Sequence, residues 1–115
     1  MSTQSRRTQP RVDANISVKV ALPGGPSTTT QRIRNISLGG LFIEMNDPVP
    51  FGTELALEFD LPVAPRHIRC KGFVVWSTKT APERAKGMQG IGVRLMDIGI
   101  ADMRLLAQYV EKELA

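Results

Sequence analysis

Two short segments carry side chains that could bind an anion. The first contains Arg6, Arg7 and Arg11, and the last two of these stand four residues apart. The second is the segment 35–40, with the sequence NISLGG, which offers an amide, a hydroxyl and a glycine-rich turn. A guanidinium group can pair with a phosphate, or with the O6 and N7 edge of a guanine, through two parallel hydrogen bonds. The arginine segment therefore indicates an anion site.

The positive charge of the chain is concentrated near its start. The sequence has 15 Lys and Arg residues against 11 Asp and Glu, a formal net charge of +4. Residues 1–38 hold six of the basic residues and one of the acidic residues, so the whole excess lies in the first third. Charged segments are often only solvated, and a solubilising tail would have the same composition. The charge distribution alone leaves both interpretations open.

Length and composition exclude several classes of protein. A chain of 115 residues with 42% hydrophobic residues is typical of one globular domain. The single cysteine, Cys70, excludes an internal disulfide and a cysteine-based zinc site, and His67 is the single histidine. No apolar run approaches the roughly 20 residues that span a bilayer, and no apolar stretch follows the basic start as in a secretory signal. We therefore expect a cytoplasmic protein without a metal or cofactor.

Hydrophobic periodicity predicts strands followed by one helix. Apolar and polar residues alternate from Val12 to Leu22, which is typical of a half-buried strand. Further strand-like segments, separated by turns, are predicted at 28–33, 41–46, 55–61, 67–78 and 90–95. Short strands between Gly and Pro turns favour an antiparallel barrel or sandwich. From Ile100 to Leu114 the apolar spacing becomes helical, and we expect this helix to cover an open end or an edge of the barrel.

The sequence does not assemble a catalytic site. His67 lies within a strand pattern, and Cys70 shares its face with Ile68 and Val74, which predicts a buried and unreactive thiol. The only well-formed helical pattern is at the end of the chain, so a strand, Gly-rich loop and helix cannot form a phosphate site. We therefore expect a binding domain with no catalytic residues.

Taken together, the two segments resemble the motifs of a known family. They occur in the order arginine pair, then NISLGG, on either side of a predicted β-hairpin, and a C-terminal helix follows. This arrangement resembles the PilZ domain family, the bacterial receptors for cyclic di-GMP, over residues 6–114. The resemblance implies an all-β fold with one C-terminal helix, in the form of a six-stranded antiparallel β-barrel. We expect a flexible Arg-rich segment at 1–11, the barrel at 12–98 and the helix at 99–115.

The resemblance also implies roles for individual residues. Arg7 and Arg11 would close over the nucleotide with the N-terminal segment. Asn35 would accept hydrogen bonds from a guanine edge, and Ser37 would contact the ligand through its hydroxyl. Gly40 would allow the turn, through either a positive φ or the lack of a side chain. The family more often has Asp at position 35, and the neutral amide of Asn makes weaker bonds than a carboxylate.

Other positions have weaker signals. Arg6 would add a third cation, which would favour a stacked dimer of the ligand, but a solvated terminus would look the same. Trp76 matches an aromatic position near the site in some relatives. It is two residues from Val74 in the same predicted strand, however, so alternation places it on the same face and predicts core packing. Arg32 and Arg34 could extend the positive field, but a solvated strand face is the simpler interpretation.

The implied function is that of a receptor. Cyclic di-GMP would order the arginine segment against the barrel and change the interaction with a separate partner protein that controls motility, exopolysaccharide production or surface attachment. One alternative is a protein-interaction adapter that does not bind nucleotide. Another is a single-stranded nucleic-acid binder, for which the pI of about 9.7 is suitable. That alternative ranks lower because aromatic residues, which stack on bases, make up only 5% of the chain.

Overall fold

The computed structural model describes residues 11–22, 28–62, 67–85 and 87–114. Arg6 and Arg7 lie outside these residues, so their roles stay predictions. A short 3-10 helix lies between the last two strands, at Pro82–Arg84. The other elements are the strands β1 (Val12–Ala21), β2 (Thr28–Ile36), β3 (Gly40–Glu44), β4 (Glu54–Asp60), β5 (His67–Ser77) and β6 (Gly90–Met96), and the helix α1 (Ile100–Leu114).

The six strands form a closed antiparallel barrel. Their order around the barrel is β1-β2-β3-β6-β5-β4, and the pairing of β1 with β4 closes it. The predicted six-stranded barrel with one C-terminal helix is therefore confirmed. Because closure leaves none of these six strands with a free edge, the helix cannot serve as an edge cover. Instead, α1 inserts Leu106, Tyr109 and Val110 into the hydrophobic core.

Alternating side chains of every strand fill the barrel. Phe59, Ile33 and Ile43 are among the largest fully buried side chains. Complete burial of side chains of this size stabilises the fold by about 1.5–3 kcal/mol each. Cys70 belongs to the same core, as predicted from its parity. Burial, assisted by the Asp102 carboxylate, raises the pKa of the Cys70 thiol to about 11, which keeps it protonated and unreactive.

The ends of two predicted apolar stripes are exposed. Leu22, expected on the buried face of the first strand, follows the end of β1 and is 44% exposed. In α1, Ile100 is 76% exposed and Leu114 is 51% exposed, because only the middle of the helix packs into the core. Tyr109 joins the buried face there, although the helical spacing alone did not select it. No helix within the described ranges is long and apolar enough to cross a bilayer.

The outer face of the β4–β5 pair carries a cluster of charged side chains. The imidazole Nδ1 of His67 lies 2.9 Å from Asp60 Oδ1, and its Nε2 lies 3.1 Å from Glu58 Oε1. Only a protonated imidazole can donate from both nitrogens. Both hydrogen bonds raise the pKa of His67, and the one with Asp60 has the larger effect. The hydrogen bond from His67 in turn lowers the pKa of Glu58. Arg69 Nε, 3.3 Å from Glu58 Oε2, completes the cluster.

This cluster predicts a small dependence of stability on pH. Because the folded state raises the pKa of His67, its contribution is complete below the ordinary value of 6.5 and is lost as the pH rises through the folded value. The thermal midpoint should therefore fall slightly as the pH rises above the ordinary pKa of 6.5. Glu58 stays ionised over this window, since its pKa is lowered. In His67→Ala the thermal midpoint should change less with pH than in the wild type. In Arg69→Ala it should still fall as the pH rises. Equal slopes in the wild type and His67→Ala would contradict the prediction.

Candidate functional site

The turn between β2 and β3 holds the second motif. The prediction of a turn-like segment from Asn35 was wrong at its start, because Asn35 and Ile36 are the last two residues of β2. The backbone N–H of Ser37 donates to the carbonyl oxygen of Gly40 at 2.9 Å, and the Ser37 hydroxyl lies 3.4 Å from the same oxygen. The turn is thus closed by Ser37, and Asn35 is held in register by the paired strands on both sides.

Gly40 is needed for close packing of two strands. Among the described residues the glycines with positive φ are Gly52 and Gly87, so Gly40 does not need glycine for its backbone angles. A Cβ at Gly40 would instead collide with the carbonyl oxygen of Val93 in β6. Of the two reasons that were predicted for this glycine, the lack of a side chain is the correct one. The backbone N–H of Leu95 also donates to the carbonyl of the preceding Gly39, at 3.2 Å.

Arg11 lies beside this turn because of the register of the first hairpin. Asp13 pairs with Asn35, and Val12 pairs with Ile36. The next residue back along the chain, Arg11, therefore lies level with the start of the turn at Ser37. Its side chain is exposed, and it lines the same cavity as Asn35 and Ser37.

The prediction that Trp76 packs in the core was wrong. Val74 pairs with Val93, but Trp76 pairs with Gly92, so the register shifts at Val75. Such a β-bulge places one extra residue in the strand and reverses the alternation beyond it. Val74 is completely buried in the core, whereas Trp76 is only half-buried and lines the cavity on the outside of the barrel.

Trp76 forms an aromatic wall with a residue that sequence reasoning missed. Its indole lies across Gly92, where an added Cβ would collide with the ring. It stacks on Phe42 of β3, with ring centroids 5.5 Å apart and an angle of 18° between the ring planes. Phe42 is buried but belongs to this outer layer and not to the core cluster. A glycine at position 92 thus makes room for the aromatic pair on the barrel surface.

A cavity of about 420 Å³ brings both motifs together. The described residues that line it include two arginines and no Asp or Glu, so the lining carries a positive formal charge. Pockets of this size can bind small molecules. Polar and aromatic side chains line this cavity, and Gly40 contributes its backbone. The side chains are those of Arg11, Asn35, Ser37, Phe42, Trp76 and Arg94.

Arg94 was not selected by the sequence analysis. Alternation in β6 places Gly90, Gly92 and Arg94 on the outer face, and this signal was present in the sequence. What the sequence did not reveal is that β6 pairs with β3, which places Arg94 opposite Gly40. That pairing joins residues more than fifty positions apart in the chain.

The remaining candidates lie elsewhere. Arg32 donates to Asn15 Oδ1 at 2.8 Å, and Arg34 Nε lies 3.7 Å from Glu44 Oε1. Neither arginine lines the cavity, which agrees with a solvated strand face. The described part of the chain contains no group of three or more His, Cys, Asp or Glu side chains that could hold a metal ion.

The comparison with known families decides the identity of the domain. Residues 5–112 match the sequence profile of the PilZ domain. The chain belongs to the PilZ domain family. The match covers the PilZ motif segments at 35–40 and around Arg11, and it includes Arg6 and Arg7.

Solved structures share the PilZ fold. The Bacillus subtilis inhibitor of motility MotI/DgrA superposes with a TM-score of 0.75 at 23% identity, covering 95% of this chain and 51% of that one. The PilZ domain of CeSA from a cellulose-synthesizing bacterium superposes with a TM-score of 0.62 at 18% identity, covering 92% and 99%. At such low identities the likeness concerns the fold, and the chain spans about half the length of MotI/DgrA. No match is found among curated protein sequences.

Proposed function

We propose that this PilZ domain is a receptor for cyclic di-GMP and not an enzyme. The observation that carries the proposal is that Arg11 lines the same cavity as Asn35, Ser37 and Gly40. Residues from both motifs meet there although they are separated by the whole first hairpin. The positive lining suits a ligand with two phosphates, and the family is one of nucleotide receptors.

Each group of the nucleotide would have a complementary group in the cavity. Arg11 would form paired hydrogen bonds with a phosphate, and Arg7 would do the same from the N-terminal segment as it closes. The amide oxygen of Asn35 would accept from a guanine edge, and the exposed part of Trp76 would offer a ring face for stacking. The hydroxyl of Ser37 would exchange its long contact with the Gly40 carbonyl for the ligand.

The output of the receptor would be a change in the surface shown to a partner protein. Ordering of a segment by a ligand is a common switching device. MotI/DgrA is an inhibitor of motility, and CeSA comes from a cellulose-synthesizing bacterium. We therefore propose that the partner of this protein controls motility, exopolysaccharide production or surface attachment in the bacterial cytoplasm.

Isothermal titration with cyclic di-GMP tests the proposal directly. We expect saturable binding, with a stoichiometry that distinguishes a single nucleotide from a stacked dimer. Trp76 is the only tryptophan of the chain, so a parallel change in its emission would locate the ligand at this cavity. Cyclic di-AMP, which has the same phosphates but different bases, is the matched ligand control.

Two other results would change the conclusion. The absence of heat at high micromolar cyclic di-GMP would contradict the receptor proposal and favour an adapter that binds only protein. Binding of single-stranded oligonucleotides with a steep salt dependence, in place of the dinucleotide, would favour the nucleic-acid alternative.

A further inference from the structure

Arg94 occupies a position that neither motif of the family contains. In β6 it pairs with Gly40 of β3 on one side and with Phe73 of β5 on the other. Its side chain is on the outer face of the barrel and lines the cavity. Because Gly40 has no side chain, nothing from that neighbouring position lies between Arg94 and the β2–β3 turn. The strand pairing thus brings a distant arginine to the second motif.

The surroundings of Arg94 leave its hydrogen-bond donors available. Within the described part of the chain, no carboxylate forms an ion pair with it, whereas Arg34 and Arg69 on other parts of the barrel pair with glutamates. Its guanidinium carbon instead lies 6.0 Å from the centroid of the Phe73 ring. A ring face at this distance orients a guanidinium weakly and does not saturate its five N–H donors.

The charges on the two sides of the cavity suit a ligand with two phosphates. In the barrel order β1-β2-β3-β6, the β2–β3 turn separates Arg11, which precedes β1, from Arg94 on β6. A dianion placed over the turn would meet one guanidinium from each side. We propose that Arg94 is a further nucleotide-binding residue that contacts a phosphate of the ligand. The inference rests on the proposed function, since it concerns the same cavity.

Titration of three variants with cyclic di-GMP tests the role of Arg94. Arg94→Ala should weaken binding roughly tenfold or more, as expected for the loss of charge-assisted hydrogen bonds. Arg94→Lys keeps the charge but loses the planar fork, so its affinity should lie between those of Arg94→Ala and the wild type. Arg104→Ala removes an equal charge from an exposed position on α1, away from the cavity, and should bind like the wild type.

Salt dependence separates a direct contact from an indirect structural effect. If Arg94 meets a phosphate, the affinity of Arg94→Ala should depend less steeply on salt than that of the wild type. Thermal midpoints of all variants should stay close to the wild-type value, since the side chain is exposed. Affinity of Arg94→Ala within twofold of the wild type would overturn this inference and leave the receptor proposal intact. Absence of binding by the wild type would overturn both.

Discussion

Arg11→Ala should weaken the binding of cyclic di-GMP by roughly 10- to 150-fold. The variant would lose charge-assisted hydrogen bonds worth about 1.5–3 kcal/mol, and each 1.4 kcal/mol changes the affinity by a factor of about ten. Arg11 precedes β1 and is exposed, so the barrel should remain folded. Isothermal titration measures the affinity, and the thermal midpoint reports the fold of the variant.

The matched control for this prediction is Arg104→Ala on the helix. It removes the same charge from an exposed side chain that does not line the cavity, so it separates local contacts from net charge. Arg7→Ala should behave like Arg11→Ala if both arginines of the motif act together. Wild-type affinity in Arg11→Ala would contradict the assignment of the cavity as the nucleotide site, even if the protein binds the ligand elsewhere.

Gly40→Ala should damage the site by separating two strands. The added methyl group would collide with the carbonyl oxygen of Val93, and a backbone atom cannot rotate aside as a flexible side chain can. Overpacking of this kind costs about 1–3 kcal/mol of stability. The shift would also move Arg94, which pairs with residue 40, so cyclic di-GMP binding should weaken together with stability. Urea unfolding and titration measure the two effects.

Gly99→Ala provides the matched control. A Cβ at Gly99 would have no atom from beyond its two chain neighbours within 4 Å, and its φ is not positive, so the same substitution should leave binding close to the wild type. Gly99 lies at the start of α1, where its carbonyl accepts from the backbone N–H of Met103, so alanine there should cost no more than about 1 kcal/mol of stability. If Gly40→Ala were as stable as Gly99→Ala, the close packing of β3 against β6 would not be the reason for this glycine.

The local elements of this protein could be predicted from the sequence. Alternation of apolar and polar residues is a property of neighbours in the chain, so it located the strands and placed Cys70 in the core. The same local signal failed at Trp76, because a bulge at Val75 depends on how β5 pairs with β6. It also overestimated the buried face of α1, where Ile100 and Leu114 are exposed.

The motifs were likewise visible in the sequence. Arg11, Asn35, Ser37 and Gly40 were assigned to the site through the resemblance of the two segments to the PilZ motifs, and they line one cavity. The sequence could not decide whether position 40 needs glycine for a positive φ or for its lack of a side chain. Both the φ angle and the close approach of Val93 are consequences of folding.

The sequence by itself determined the strand pattern, the C-terminal helix, the core identity of Cys70 and the two motifs. The tertiary structure alone decided the partners of these elements: the closure of β1 on β4, the aromatic pair of Phe42 and Trp76, and the place of Arg94 opposite Gly40. The physical reason is that strand pairing joins residues far apart in the chain. Hydrophobic alternation shows which face of a strand is buried, but the identity of the neighbouring strand depends on closure of the whole barrel.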